Sequence, residues 1–224
     1  MLLLAIDTSG KHGSIALARA GERSAEDVEL IATVPLTGGT FSAQLVPQMA
    51  ELLSSHGFTQ LDIGALAVAT GPGSFTGLRI GLAVVKALVE VLQKPIAAVS
   101  LLELCVVNSG AQGKVMSALD AGRNDVYVGE YGVPENQPPR EYISTRREFL
   151  AQAQGWSVVT PDSTLAQAAR EAGLSVSRLE PISAADVACV GWRSIQSGRA
   201  VTAEELEANY IRRTDAEMLE RVRC

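Results

Sequence analysis

Short apolar runs separated by polar, glycine-containing turns fill the first part of the chain. Three such runs predict a meander of three strands, and they span residues 2–6, 14–18 and 28–34. From Phe41 onward the apolar residues instead recur at about every fourth position, the spacing of an amphipathic helix that ends near Gly57. This change of period marks the point where the chain passes from sheet to helix.

The segments that follow alternate between strand and helix. A buried strand is predicted over residues 63–69, a long helix over residues 74–92 and another strand over residues 96–99. This β-α-β alternation is typical of a layered α/β lobe. We place the end of this first lobe at residue 109, so that it spans residues 1–109.

A second lobe, residues 110–211, begins much as the first one does. Residues 3–8 pass through Asp7 into a turn and a returning strand, and residues 116–121 pass through Asp120 into another. Two interpretations stay open: a duplicated lobe that presents two facing loops across a cleft, or two unrelated hairpins. The remaining predicted elements are a strand at 157–160, helices at 146–153, 163–172, 184–194 and 203–209, and a charged tail at 212–224.

Composition narrows the function classes. A hydrophobic content of 47% with 20% charged residues excludes a disordered or collagen-like chain. A net charge of -6 and an aromatic content of only 4% disfavour direct nucleic-acid binding, which needs a basic face or stacking rings. The three cysteines form no CxxC pair, and no signal peptide or membrane-spanning run is evident. We therefore expect a cytoplasmic chain with no membrane role.

The glycine-rich segment between the strand at 63–69 and the long helix lies where phosphate-binding loops often occur. The spacing of its glycines, however, does not match the known phosphate-binding motifs. Gly71, Gly73 and Gly77 stand at offsets 0, 2 and 6, whereas a dinucleotide fingerprint needs 0, 2 and 5. A Walker loop needs Lys after its last glycine, and here Leu78 follows. Ser74 fits an N-cap of the helix better than a nucleophile.

The long helix is apolar or small around most of its circumference. Its charged residues Arg79, Lys86 and Glu90 form one narrow stripe. Such a helix needs cover on two sides, and its own sheet supplies only one. The other cover is either a partner helix, approaching closely along Gly77 and Gly81, or the preceding helix or second lobe of the same chain.

We predict a partner interface formed by the long helix and the helix before it. The same surface on a second copy would give a C2 homodimer when the chain is alone. The predicted interface residues are Leu45, Met49, Leu53, Ser74, Phe75, Thr76, Gly77, Leu78, Arg79, Gly81, Leu82 and Val85.

Several runs together resemble one known family. The run at 71–81 reads Gly-Pro-Gly-Ser-Phe-Thr-Gly-Leu-Arg-Ile-Gly, and shorter runs at 4–9, 100–101, 119–121, 126–127 and 210–212 keep its order and spacing. In these residues the chain is similar to the TsaB (YeaZ) family. The resemblance implies an α/β fold with two duplicated lobes, of the ribonuclease H-like class shared by actin, sugar kinases and heat-shock ATPases.

The resemblance also implies a function. Members of this family act in the bacterial cytosol, in forming threonylcarbamoyladenosine next to the anticodon of tRNAs that read ANN codons. There the TsaB chain is a non-catalytic scaffold that pairs with the TsaD transferase, beside the ATPase TsaE, and it meets tRNA only through the complex. The chain departs from the family at Phe41-Ser42-Ala43, where relatives often carry His-Ser-Glu.

Little in the sequence points to catalysis. Its two histidines, His12 and His56, are forty-four positions apart, so they cannot form the local His-x-x-x-His metal pair of the catalytic paralogue. We expect no catalytic residue, no metal and no peptidase activity. The resemblance also suggests degenerate nucleotide loops, with no cofactor required and weak or shared ATP or ADP binding allowed; their residues are Asp7, Thr8, Ser9 and Asp120.

Two alternatives stay open beside the scaffold. The paired aspartate turns would suit a small-molecule kinase or ATPase that uses the cleft between the lobes. A stand-alone tRNA-binding protein would instead use the arginine pairs Arg146-Arg147 and Arg212-Arg213.

Overall fold

A computed structural model of the 224-residue chain describes residues 1–21, 27–37, 39–132 and 138–211. The chain divides into two compact units. The first contains Met1–Leu104 and Ile182–Asn209, and the second contains Cys105–Pro181 together with residues 210–211. The predicted tail at 212–224, with Arg212 and Arg213, lies outside the described residues.

The first unit is built on a five-stranded mixed sheet. Its strands are β1 (Leu2–Asp7), β2 (His12–Ala20), β3 (Val28–Thr37), β4 (Ile63–Gly71) and β5 (Ile96–Ser100). Their order across the sheet is β3-β2-β1-β4-β5. Strand β2 is antiparallel to both β1 and β3, whereas β4 is parallel to β1 and β5 is parallel to β4. The central strand β1 is buried along its whole length, as its unbroken apolar run predicts.

Helices cover both faces of this sheet. They are α1 (Phe41–Ser55), α2 (Phe75–Leu92) and α6 (Ala184–Gln196), while α3 (Leu101–Ser109) runs across the boundary between the units. A Cβ added at Gly81 of α2 would approach Ile6, whereas one added at Gly191 of α6 would meet Ala67 and Ala97. Because Ile6 and Ala67 are offset by one position in the β1–β4 register, their side chains point to opposite faces. The helices therefore form the outer layers of a three-layer unit.

The assignment of α6 corrects the predicted domain boundaries. The sequence placed residues 184–194 in a second lobe of residues 110–211, but α6 packs against strands β1, β2, β4 and β5 of the first sheet. Gly191 makes this possible, because any side chain there would collide with Ala67 on the sheet surface. The first unit thus consists of two separate stretches of the chain.

The second unit repeats the strand plan of the first. Its strands are β6 (Val115–Gly122), β7 (Asp125–Tyr131), β8 (Arg140–Thr145), β9 (Ser157–Thr160) and β10 (Ser175–Arg178). The order β10-β9-β6-β7-β8 again has the first strand central, an antiparallel meander on one side and two parallel strands on the other. Helices α4 (Arg146–Gln152) and α5 (Ser163–Glu171) pack on this sheet. This shared topology favours duplication over two unrelated hairpins.

Four details differ from the sequence prediction. Helix α3 and strands β8 and β10 were not predicted. Both strands are short edge strands with few fully buried residues. Residues 203–209, predicted as a helix, contain only a turn at 203–205. Within the described ranges, no helix combines the length and hydrophobicity that crossing a bilayer requires.

Candidate functional site: a clamped loop and an exposed helix face

The loop after β1 is closed by its own hydrogen bonds. Asp7 is buried, and its Oδ1 accepts hydrogen bonds from the backbone N–H (2.9 Å) and the hydroxyl (2.6 Å) of Ser9. The Thr8 hydroxyl donates to the carbonyl of Gly77 (2.8 Å), and the carbonyl of Ser9 accepts from the N–H of Ser74 (2.6 Å). The predicted degenerate nucleotide loop is therefore bound to the start of α2.

Burial raises the pKa of the Asp7 carboxyl, because the charged form loses its hydration. The hydrogen bonds from Ser9 act in the opposite direction, and the carboxylate of Asp186 in the first turn of α6 adds to the increase. Asp7 is thus an acidic group held in an environment that favours its protonated form.

The second predicted loop has a different geometry. Asp120 lies near the end of β6 and is exposed, unlike the buried Asp7. The turn that follows is a tight hairpin, in which Arg123 and Asn124 both have left-handed backbones with φ of 52° and 70°. Arg146 begins α4, and its N–H donates to the carbonyl of Asn124 (3.0 Å).

No group of three or more His, Cys, Asp or Glu side chains that could hold a metal ion occurs among the described residues. His12 is exposed at the start of β2, and His56 caps the end of α1. The two histidines therefore belong to different elements of the first unit.

Gly77 and Gly81 face the protein interior. A Cβ at Gly77 would collide with the carbonyl oxygen of Thr8, and one at Gly81 would lie 2.5 Å from the Thr8 hydroxyl. The two glycines, here called the inner row of α2, let the helix lie directly on the loop after β1. The prediction that they admit a partner helix is therefore wrong.

Most of the predicted interface is also buried within the first unit. The side chains of α1 and α2 that point toward the sheet belong to its hydrophobic core, so they cannot form a surface in the folded chain. That part of the prediction is wrong, and its residues are Leu45, Met49, Leu53, Gly77, Leu78, Gly81, Leu82 and Val85.

The exposed part of the prediction lies at the start of α2. Ser74 is the N-cap, as predicted, and its hydroxyl accepts the N–H of Gly77 (3.3 Å). Thr76 is exposed, and Phe75 keeps 38% of its surface in solvent. The Arg79 guanidinium lies 3.7 Å from the centre of the Phe75 ring, in a cation–π contact.

These residues begin an exposed stripe along the whole helix, here called the outer row. It consists of Phe75, Arg79, Ala83, Ala87 and Val91, which lie four positions apart and are all exposed. Val91 has 78% of its surface in solvent.

A half-buried stripe of Ile80, Val84 and Leu88 runs beside the outer row. Together the two stripes form a largely apolar face. In the middle of this face the most exposed residues are the small Ala83 and Ala87.

Sequence reasoning missed Ala83, Ala87 and Val91. A usable signal was present, because Ala83 follows Gly81 by two positions, which is roughly 200° around a helix. Once the glycine row is assigned to the sheet, the alanine row must point away from it.

The chain is similar in sequence to one family model and to several curated proteins whose names refer to the same tRNA modification. The family model described as TsaD, tRNA N6-adenosine threonylcarbamoyltransferase, matches residues 35–148. A Bacillus subtilis relative named tRNA threonylcarbamoyladenosine biosynthesis protein TsaB is 36% identical over 132 residues, 58% of this chain and 55% of the relative. The chain thus aligns with about half of that relative's length. The Escherichia coli protein of the same name is 29% identical over 236 residues, with 95% of each chain covered.

Solved structures with the same fold include YeaZ from Pseudomonas aeruginosa, with a TM-score of 0.69, 24% identity, and coverage of 94% of this chain and 99% of that one. A second Pseudomonas aeruginosa structure, described as similar to peptidase YEAZ, has a TM-score of 0.70 at 25% identity with the same coverage. These similarities and the repeated strand order confirm the predicted fold class, a duplicated α/β fold of the ribonuclease H-like and actin-like kind.

Proposed function

The chain belongs to the TsaB (YeaZ) family, within the wider TsaD family, and we propose from that premise that it is a non-catalytic scaffold in threonylcarbamoyladenosine biosynthesis. In this proposal it pairs with the TsaD transferase and activates it, with TsaE as a further partner. The complex modifies tRNAs that read ANN codons, next to the anticodon. tRNA contacts this chain only indirectly, which agrees with its net charge of -6.

The outer row of α2 is the observation that carries this proposal. Residues four apart form the ridges that pack into the grooves of a neighbouring helix. At Ala83 and Ala87 this ridge is low, so a partner helix can approach closely, while Phe75 and Arg79 are residue types enriched in interfaces. We expect TsaD to contribute a helix that lies along this row.

Two features support a non-catalytic role. The chain contains only two histidines, and they begin one strand and end one helix, so neither has the other as a local metal-binding partner. The loop at Asp7 already uses its carboxylate and the N–H of Ser9 in bonds to itself. A phosphate group would have to break these bonds to bind there, so the proposal includes no required cofactor.

The test is a substitution at the centre of the outer row. Ala83→Arg places a long charged side chain where the partner should lie closest, and a central interface residue of this kind is expected to cost about 2–4 kcal/mol, or roughly 30- to 1000-fold in affinity. Ala151→Arg, on the exposed side of α4, is the matched control. Calorimetric titration with TsaD measures both, and circular dichroism verifies folding. Unchanged affinity of folded Ala83→Arg would contradict the proposal.

The same row offers a surface for a homodimer when the chain is alone. Two copies would pack their α2 helices about a twofold axis, in competition with TsaD for the same residues. Sedimentation of the free chain should therefore show a dimer that Ala83→Arg dissociates and Ala151→Arg does not. A dimer that survives Ala83→Arg would use a different surface.

The kinase or ATPase alternative has less support, because the loop at Asp7 is closed and Asp120 lies in a tight exposed hairpin. Titration with MgATP tests it directly. Tight binding that Asp7→Asn abolishes would favour the kinase, whereas the scaffold proposal allows only weak nucleotide binding by the isolated chain.

A further inference from the structure

Apolar packing alone fixes the rotation of α2 only weakly. The helix is apolar on several sides, and Leu82, Val85 and Val89 belong to the core of the first unit. Apolar contacts are non-directional, so they hold such a helix on the sheet more firmly than they fix its rotation. A rotation of about 10° moves a side chain that lies about 5 Å from the helix axis by about 1 Å. A constant presentation of the outer row therefore needs directional contacts.

The loop after β1 supplies two such contacts to the start of α2. The carbonyl of Ser9 accepts the N–H of Ser74 (2.6 Å), and the hydroxyl of Thr8 donates to the carbonyl of Gly77 (2.8 Å). Both loop residues are buried, so water does not compete for these bonds. Ser74 and Gly77 are three positions apart and lie on the same side of the helix. The two bonds therefore hold one side of α2 at two heights.

The loop is itself held in one conformation. The buried carboxyl of Asp7 accepts hydrogen bonds from the N–H (2.9 Å) and the hydroxyl (2.6 Å) of Ser9. These bonds fix the peptide whose carbonyl accepts from Ser74. Gly77 and Gly81 then let the helix lie directly against Thr8. The loop after β1 is thus a rigid support for the first turns of α2.

We propose that Thr8 and Ser9 are positioning residues for docking, because they fix the rotation with which the outer row meets TsaD. Arg79 follows Gly77 by two positions, which is roughly 200° around the helix, so it points away from the loop. Its guanidinium lies 3.7 Å from the centre of the Phe75 ring, so the same rotation positions both residues. This role rests on the proposed function, in which TsaD docks on the outer row.

The test removes the hydroxyl of Thr8. Thr8→Val puts a methyl group 2.8 Å from the Gly77 carbonyl oxygen, whereas a carbon–oxygen contact needs about 3.3 Å. The start of α2 must therefore move by about 0.5 Å, while its other end stays in place. A gap of this size loses about a quarter of the dispersion energy of a contact. We expect calorimetric titration to show about tenfold weaker binding of TsaD, whereas Thr8→Ser keeps the hydroxyl and should bind like wild type.

Thr70→Val is the matched control. The hydroxyl of Thr70 is buried and donates to the carbonyl of Val99 (3.1 Å), in a bond that joins β4 to β5. Each valine variant loses one buried hydroxyl-to-carbonyl bond, so each should lower the melting temperature by about 1–6 °C. Only Thr8→Val should weaken TsaD binding.

NMR of the methyl groups of Ala83 and Ala87 gives a second readout on the free chain. A change in the rotation of α2 should shift both signals in Thr8→Val and neither signal in Thr70→Val. If Thr8→Val does not fold, Thr8→Ala removes the same bond without the overlap of the methyl group. Thr8→Ala should weaken TsaD binding by about threefold, and Thr8→Ser should again bind like wild type.

Three results would overturn the proposal. The first is wild-type affinity of the folded Thr8 variants that lack the hydroxyl, and the second is an equal loss in Thr8→Ser. The third is an equal loss in Thr70→Val, which would mean that docking only follows overall stability. Ala83→Arg separates this test from that of the proposed function. If Ala83→Arg weakens docking and Thr8→Val does not, the positioning role alone is wrong, whereas unchanged affinity of Ala83→Arg contradicts the docking surface itself.

Discussion

Replacing Gly77 by Ala tests the contact between α2 and the loop after β1. In a free helix this change stabilises by about 1 kcal/mol, because glycine is a poor helix former. Here the new Cβ would collide with the carbonyl oxygen of Thr8, a backbone atom that no side-chain rotation can move away. The helix would have to shift, and the hydrogen bond from the Thr8 hydroxyl to the Gly77 carbonyl (2.8 Å) would be strained or lost.

The magnitude follows from these opposing effects. Overpacking of a close contact costs about 1–3 kcal/mol. Loss of the hydrogen bond adds about 0.5–1.5 kcal/mol. After the gain in helix propensity, Gly77→Ala should destabilise the chain by about 1–3 kcal/mol. For a chain of 224 residues this lowers the melting temperature by about 3–10 °C.

Gly81→Ala provides the comparison, because its new Cβ meets a side chain instead of the backbone. The nearest atom is the Thr8 hydroxyl at 2.5 Å, and the next are Ile6 Cγ2 at 3.6 Å and Thr8 Cβ at 3.7 Å, which are ordinary contacts. In a Thr8→Ala background Gly81→Ala should therefore be neutral or stabilise by up to about 1 kcal/mol. The same background should not rescue Gly77→Ala.

Urea and thermal unfolding of the single and double variants, followed by circular dichroism, measure this double-mutant cycle. Wild-type stability of Gly77→Ala, or its rescue by Thr8→Ala, would refute the reasoning. Either result would mean that α2 lies farther from the loop than the hydrogen bond between Thr8 and Gly77 requires.

Three further substitutions test other parts of the fold. Burial raises the pKa of the Asp7 carboxyl in the folded chain above the value of about 3.9 that it has in the unfolded chain. At a pH above about 3.9 the unfolded chain therefore loses this proton more readily than the folded chain, so the carboxyl lowers the free energy of unfolding. Asp7→Asn should thus stabilise the chain more at pH 7 than at pH 4 in urea unfolding. Gly191→Val should cost about 2 kcal/mol or more, because its side chain collides with Ala67, and melting curves measure the loss. Tyr142→Phe removes a 2.7 Å hydrogen bond to Glu130 and should cost about 0.5–1.5 kcal/mol in the same assay.

The order of strands and helices in the first hundred residues could be predicted because it depends on local periodicity. The boundaries of β4, α2 and β5 agree with the predicted ones to within two residues. The return of α6 to the first sheet could not be predicted in this way, because its partner strands all lie far earlier in the chain, between Leu2 and Ser100. Gly191 is the residue of α6 that allows its close packing on the sheet. A single glycine in a helix does not indicate which strands the helix packs against.

The candidate docking surface was predicted on the correct helix and largely on the wrong side of it. α2 is apolar on several sides, so periodicity alone does not distinguish the row that packs on the sheet from the row that faces solvent. The deciding observation is the approach of Thr8 to Gly77 and Gly81, which is a contact between distant parts of the sequence.

Substitutions in the inner row and in the outer row of α2 should affect different properties of the chain. Substitutions in the inner row, Gly77 and Gly81, move the helix relative to the sheet, so they should lower stability and, by displacing the outer row, weaken docking as well. Substitutions in the outer row at Ala83 or Ala87 remove no internal contact, so they should weaken docking at unchanged stability. Because the rows lie across a helix only about 10 Å wide, the position of the loop at Asp7 also determines the position of the proposed interface.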